Sequence, residues 1–269
     1  MQSENAGDMT GQKVRIYPVT RIMGRADIEV FFSQQQKVKG ARFRALEYRG
    51  FEQLVKGLHA FRAPALLSRI CGSCGIHHQL AACTAIERAA GCQIPEGARA
   101  LREVVSWLAL AQSHLLNITY MALPDYALPM SDAGVRNDFG IYMVDQEPVR
   151  RLVAVQSAVS EALSALTGLP VHPACFVPGG VSGLPSPETV SEASQILSAC
   201  EEDLRESLRL VEMLVKRESQ RSEGSTVMLE GNCLSVTSRG NPATMGEEVT
   251  ALPLGGGAPA GMDTEGFNE

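Results

Sequence analysis

Residues 69–78 read Arg69-Ile70-Cys71-Gly72-Ser73-Cys74-Gly75-Ile76-His77-His78, and the chemistry of the chain is concentrated there. Two thiols three positions apart can face one metal ion, because the glycines beside them let the backbone curl around it. His78 follows the second thiol by four positions. A helix beginning just after Cys74 puts His78 one turn in, on the face that looks back toward the sulfurs. Arg69 brings a positive charge close by, which favours the metal-binding thiolate over the thiol. Taken alone, a C-x-x-C has three readings: half a zinc site, a redox pair, or chance.

The chain around it has 269 residues, 45% hydrophobic and 20% charged, enough to bury a sizeable core. The net charge of −6 offers no basic field for nucleic acid. No apolar run approaches the roughly 18 to 20 residues that span a bilayer, so no membrane span is expected. The polar start, MQSENAGDMTGQK, is not a signal peptide. Seven cysteines, an odd number without regular spacing, read as reduced thiols of a cytoplasmic protein.

Alternation predicts strands within 13–20 and 26–46, an antiparallel opening sheet with a polar turn at Ser33–Lys37. A helix is expected over Phe51–Phe61, with Glu52 near its start, where a carboxylate is favoured whatever its role. Helical spacing then predicts Ile76–Ala90 with a stop at Gly91, Gly97–Met121 with a stop at Pro124, residues 145–167, and a long helix from Pro187 to about Arg217. The fold class is α+β, mainly a helical bundle with a small N-terminal antiparallel sheet. Residues 1–12 are expected to be disordered and 13–221 to form one domain. The segment 222–269, with Gly-Gly-Gly at 255–257, reads as an irregular or disordered tail, apart from one short strand within Val227–Val236.

Several passages together resemble the large subunit of nickel–iron hydrogenases, particularly the cytoplasmic cofactor-reducing branch. They are Pro18-Val19-Thr20-Arg21-Ile22-Met23-Gly24, Arg49-Gly50-Phe51-Glu52, the cysteine motif with arginine before it and histidine after, and His172-Pro173 followed by Pro178-Gly179-Gly180. The resemblance runs from about residue 14 to about 218. It implies a nickel ion held by four thiolates, with an iron carrying carbon monoxide and cyanide beside it. Cys71 is then a terminal nickel ligand and Cys74 a bridging one, as soft sulfur suits. His78 becomes a donor to the bridging sulfur, Glu52 an oxygen ligand for a magnesium or similar ion, and His114 a histidine bonding into the site. The implied reaction is reversible oxidation of dihydrogen, with electrons passed to an iron–sulfur small subunit, then to further electron-transfer subunits.

Two departures accompany the resemblance. Met23 stands where the family carries a glutamate that moves protons, and Arg25 replaces a histidine. The chain also contains a single C-x-x-C; Cys83, Cys92, Cys175, Cys200 and Cys233 are isolated, and Cys83, Cys92 and Cys200 read as small buried hydrophobes rather than ligands. Two thiolates leave nickel half coordinated. The sequence therefore reads as the front portion of such a subunit, with a separate polypeptide as another source of the missing pair. The alternatives are a non-catalytic scaffold or assembly paralogue that has lost the centre, and half of a structural zinc site shared with a partner.

Overall fold

A computed structural model describes residues 12–221, 232–238, 241–242, 248–253 and 260–262. The chain separates after Leu54 into two compact units, although the sequence reading groups 13–221 as one domain. The first unit is the expected antiparallel sheet, in the order β1 (Lys13–Ile16), β2 (Ala26–Phe32) and β3 (Val38–Ala45). Pairing of Arg15 with Glu29 and of Asp27 with Arg44 puts both acids of β2 on a face flanked by cations. Asp27 is fully buried beneath Arg15 and Arg44, at 2.6 and 2.8 Å. Arg44, against the opposing effect of burial and with help from Arg15, holds the Asp27 carboxyl below its usual range. The short α1 (Phe51–Leu54) ends this unit. The helix expected to reach Phe61 stops there, because the chain turns at Gly57, whose φ of 77° no helix accepts. The expected disorder of the N-terminus falls on residues outside the described ones, save residue 12.

The second unit is helical, as its periodicity predicts. After α2 (Ala63–Leu67), α3 (Gly75–Ala90) begins directly behind Cys74 and ends at Gly91 in the left-handed conformation. Next comes α4 (Glu96–Leu116), which passes through a π-helical turn, Asn117–Ala122, into α5 (Leu123–Ala127). Pro124 is thus not the stop that the sequence suggests. It lies in the first turn of α5, where a missing N–H costs nothing. Then follow α6 (Asp138–Val144), α7 (Gln146–Thr167), and the small hairpin of β4 (Phe176–Val177) and β5 (Gly180–Val181). The long helix expected from Pro187 is broken at Cys200 into α8 (Pro187–Ala199) and α9 (Glu201–Arg221). Glu201, Glu202 and Asp203 then occupy a first turn, where the helix dipole favours acids. Val105, Leu152, Val155, Ala162 and Leu163, all nearly inaccessible, form the centre of the core.

The region read as an irregular tail holds four antiparallel strands among its described residues, in the order β7-β6-β8-β9: β6 (Asn232–Ser238), β7 (Asn241–Pro242), β8 (Glu248–Pro253) and β9 (Ala260–Met262). The six-residue register between β6 and β8 shows why. Backbone pairing there needs no strong side-chain alternation, which is the signal that the sequence lacks. The remainder of the tail lies outside the described residues.

One buried network ties the cysteine helix to the hairpin. Arg102 on α4 is fully buried and makes a two-pronged pair with Glu87 on α3, at 2.7 and 3.0 Å. Its Nη2 also donates to the carbonyls of Val177 and Gly180, and Glu87 accepts the Gly179 N–H at 2.7 Å. Almost every polar atom is matched, which is what makes such a burial tolerable. Arg102→Met removes the cation and strands a buried carboxylate. We expect it to cost about 3–5 kcal/mol in chemical denaturation, and Glu87→Gln combined with it to cost much less than the sum of the two single changes.

Candidate metal centre

The cysteine pair lies in the second unit, on the loop between a 3-10 turn, Ser68–Ile70, and α3. At Cys71 the backbone becomes extended, and at Cys74 it turns to enter the helix. The Cys74 N–H therefore points at the Cys71 sulfur, 3.3 Å away, and the Ser73 hydroxyl lies 3.6 Å from the same atom. Both cysteines are half-buried and free. Burial acts to raise the Cys71 thiol, but hydrogen bonds from Cys74 and Ser73 outweigh it and lower the net value. Cys74 is pushed up to about 11, first by burial and then by its hydrogen bond to Cys71 and that sulfur's charge. The two thiols are thus unequal, Cys71 giving up its proton more readily than Cys74.

Local hydrogen bonds lower the Cys71 thiol, and the Arg69 charge acts on His172. His78 does sit in the first turn of α3, half-buried, with its N–H on the Cys74 carbonyl at 3.2 Å. Its ring makes no hydrogen bond to the described residues. His77 packs beside the Ser106 carbonyl of α4, and burial lowers its pKa. His114, near the end of α4, is exposed and lines an apolar groove of about 490 Å³ with Leu108, Val155, Leu197 and Leu204. Neither Cys71 nor Cys74 contributes to that groove. Glu52 belongs to the first unit, where it is exposed and accepts a hydrogen bond from the Tyr48 hydroxyl. Met23, at the position of the family glutamate, is also exposed.

Among the described residues, no three His, Cys, Asp or Glu side chains gather where they could hold a metal ion together. The two converging sulfurs fit half of a thiolate-bound nickel site, and the other half is not supplied by those residues. Sequence reasoning assigned no role to His172, although its place before Pro173 and the glycine-rich hairpin was a usable signal. Its imidazole packs directly against Gly75. A Cβ on that glycine would come within 2.6 Å of His172 Nδ1 and 2.6 Å of the Ser68 carbonyl oxygen. Helix α3 thus needs glycine at its first position for close approach, not for an unusual φ.

Residues 49–131 match the family model described as nickel-dependent hydrogenase, and residues 13–48 match the one described as HoxL-like. A vhu polypeptide of the F420-non-reducing hydrogenase of Methanococcus voltae is 33% identical over 181 residues. That alignment covers 67% of this chain and 43% of the relative. The chain is a relative of the nickel-dependent hydrogenase large subunits. The beta subunit of the NAD-reducing hydrogenase HoxS of Cupriavidus necator is 31% identical over 178 residues, covering 64% of this chain and 36% of its own. The crystal structure of an NAD+-reducing [NiFe]-hydrogenase in the H2-reduced state superposes with a TM-score of 0.80 at 25% identity, over 91% of this chain and 55% of the other. The Ni-Fe-Se hydrogenase of D. vulgaris Hildenborough, at 20% identity and a TM-score of 0.74, shares the fold. The chain thus spans about two fifths of the length of the curated relatives it matches. None of its described helices is long and apolar enough to cross a membrane.

The unequal thiols give a direct test. At a pH of about 8, iodoacetamide should label Cys71 well before Cys74, because only the first has its thiolate favoured. Cys74 should catch up as the pH approaches about 11. In Cys71→Ser the neighbouring sulfur's charge and hydrogen bond are gone, so Cys74 should react at lower pH; peptide mass mapping reads all three.

Proposed function

We propose that this chain provides the front part of a nickel–iron hydrogenase large subunit, and that Cys71 and Cys74 supply two of the four nickel thiolates. The observation that carries this reading is the convergence of the two sulfurs on one side of a tight loop, one of them already favoured as thiolate. The further pair would come from polypeptide beyond the described residues or from another chain. When bound, the centre would polarise dihydrogen between nickel and iron and take up its electrons.

The chain's own residues would do the rest. Cys71 and Cys74 would hold the metal as thiolates, Cys74 as the bridging ligand that the resemblance implies, and a thiolate of the centre would accept the proton leaving dihydrogen. His78, in the first turn of α3, would tune the Cys74 sulfur as the resemblance implies. Met23 cannot pass the proton on, so the route outward differs from the family's. Glu52 keeps an oxygen-donor role toward a magnesium ion, with the Tyr48 hydroxyl as its present partner. His114 finds less support, because it faces the apolar groove. Two electrons and two protons leave per dihydrogen, the electrons through an iron–sulfur small subunit, with its electron-transfer partners, in the cytoplasm.

Co-expression with the neighbouring hydrogenase subunits and maturation proteins tests this. The purified complex should hold about one nickel per copy of the chain and show infrared bands of carbon monoxide and cyanide. Cys71→Ser should bring nickel to background. A complex free of metal would make the chain a non-catalytic paralogue, and zinc in place of nickel would make the pair half of a structural site.

A further inference from the structure

His172 enters neither the resemblance-based site nor the core, yet its conformation is costly. It is one of three non-glycine residues with positive φ, at 54°, among the described residues. Pro173, fully buried, fixes the chain behind it, and Arg102 and Glu87 hold the hairpin that follows. Strain of this kind persists only where the surroundings impose it. Here they press the imidazole against both ends of the cysteine loop. The absent Cβ of Gly75, the Ser68 carbonyl oxygen and His172 Nδ1 converge within 2.6 Å of one point. Nδ1 is buried and has no hydrogen-bond partner of full geometry, although the Ser68 carbonyl lies beside it. Burial and then the Arg69 charge lower the imidazole pKa, which keeps the ring neutral.

Ser68 begins the 3-10 turn before the loop that contains Cys71 and Cys74, and Gly75 begins the helix after it. A single rigid ring touching both closes that loop like a pin. We propose that His172 is a positioning residue that pins Ser68 to Gly75 and so sets the spacing of the Cys71 and Cys74 sulfurs. It touches neither sulfur in this role and acts through the backbone between them. The ring nitrogen beside the Ser68 carbonyl orients the imidazole in this role. The consequence for nickel rests on the function proposed above; the geometry of the sulfur pair does not.

Phenylarsine oxide separates the two. It condenses with two thiols to a cyclic dithioarsenite and one water, with no change of oxidation state, and needs both sulfurs close together. Binding to the full chain is followed by mass mapping of the peptide that carries both cysteines, with Cys71→Ser as background. His172→Ala should weaken capture at this pair about 10- to 100-fold. His172→Asn should stay close to wild type, because its amide nitrogen takes the place of Nδ1 and asparagine accepts positive φ. His172→Gln, whose amide overlays the other ring nitrogen, should fall with alanine. Should the alanine variant not fold, the contrast between Asn and Gln decides. Leu152→Val, a core change remote from the loop, serves as the control for general loosening. Unchanged capture in His172→Ala, equal loss in Asn and Gln, or equal loss in Leu152→Val at matched thermal stability overturns the proposal. Absence of nickel from the wild-type complex, with the arsenical series as expected, would overturn the function alone.

Discussion

The Cys74 N–H directed at the Cys71 sulfur is the contact from which the rest of the site follows. It needs a chain that is extended at one cysteine and turns into a helix at the next. A hydrogen bond to sulfur in a half-buried loop favours the Cys71 thiolate, while burial and then the neighbouring sulfur raise the Cys74 thiol. The two thiols therefore divide into a low and a high member. A cation would offset the repulsion between the two sulfurs when both are deprotonated.

Such a loop would be soft if left to itself, since it carries glycines and few apolar contacts. Its bracing comes from the interior. Arg102 and Glu87 couple α3, α4 and the hairpin of β4 and β5 through charge-assisted bonds that water does not screen. The segment from His172 leads into that hairpin, and its ring closes on Ser68 and Gly75. Packing, buried charge and sulfur geometry thus form one mechanical chain. Loss of the Glu87–Arg102 ion pair, 13 and 28 residues beyond Cys74 in sequence, is expected to be felt at the sulfurs.

Local rules carried much of the fold. The three opening strands, α3 with its stop at Gly91, and α7 all follow from periodicity and end signals, because one face of each packs on a core and leaves a trace in the sequence. The misreadings share a cause. Pro124 and the junction at Cys200 depend on tertiary context: a π-helical turn shifts the register before the proline, and acids after Cys200 make a new helix start. Strands β7 to β9 rest on backbone pairing with little patterning, whereas β6 overlaps the short strand expected within Val227–Val236. At the site, the cysteines and the place of His78 were legible from spacing. The origin of the Cys71 shift was not, because hydrogen bonds from Ser73 and Cys74 depend on backbone angles that spacing does not specify. His172 stands about a hundred residues away in sequence, and only folding brings it to Gly75.

Nickel K-edge X-ray absorption on the assembled complex tests the central claim most directly. A sulfur-dominated first shell in the wild type, with the nickel edge falling to background in Cys71→Ser and in Cys74→Ser, is the predicted result. A shell of nitrogen and oxygen, or a sulfur shell indifferent to both substitutions, would contradict it.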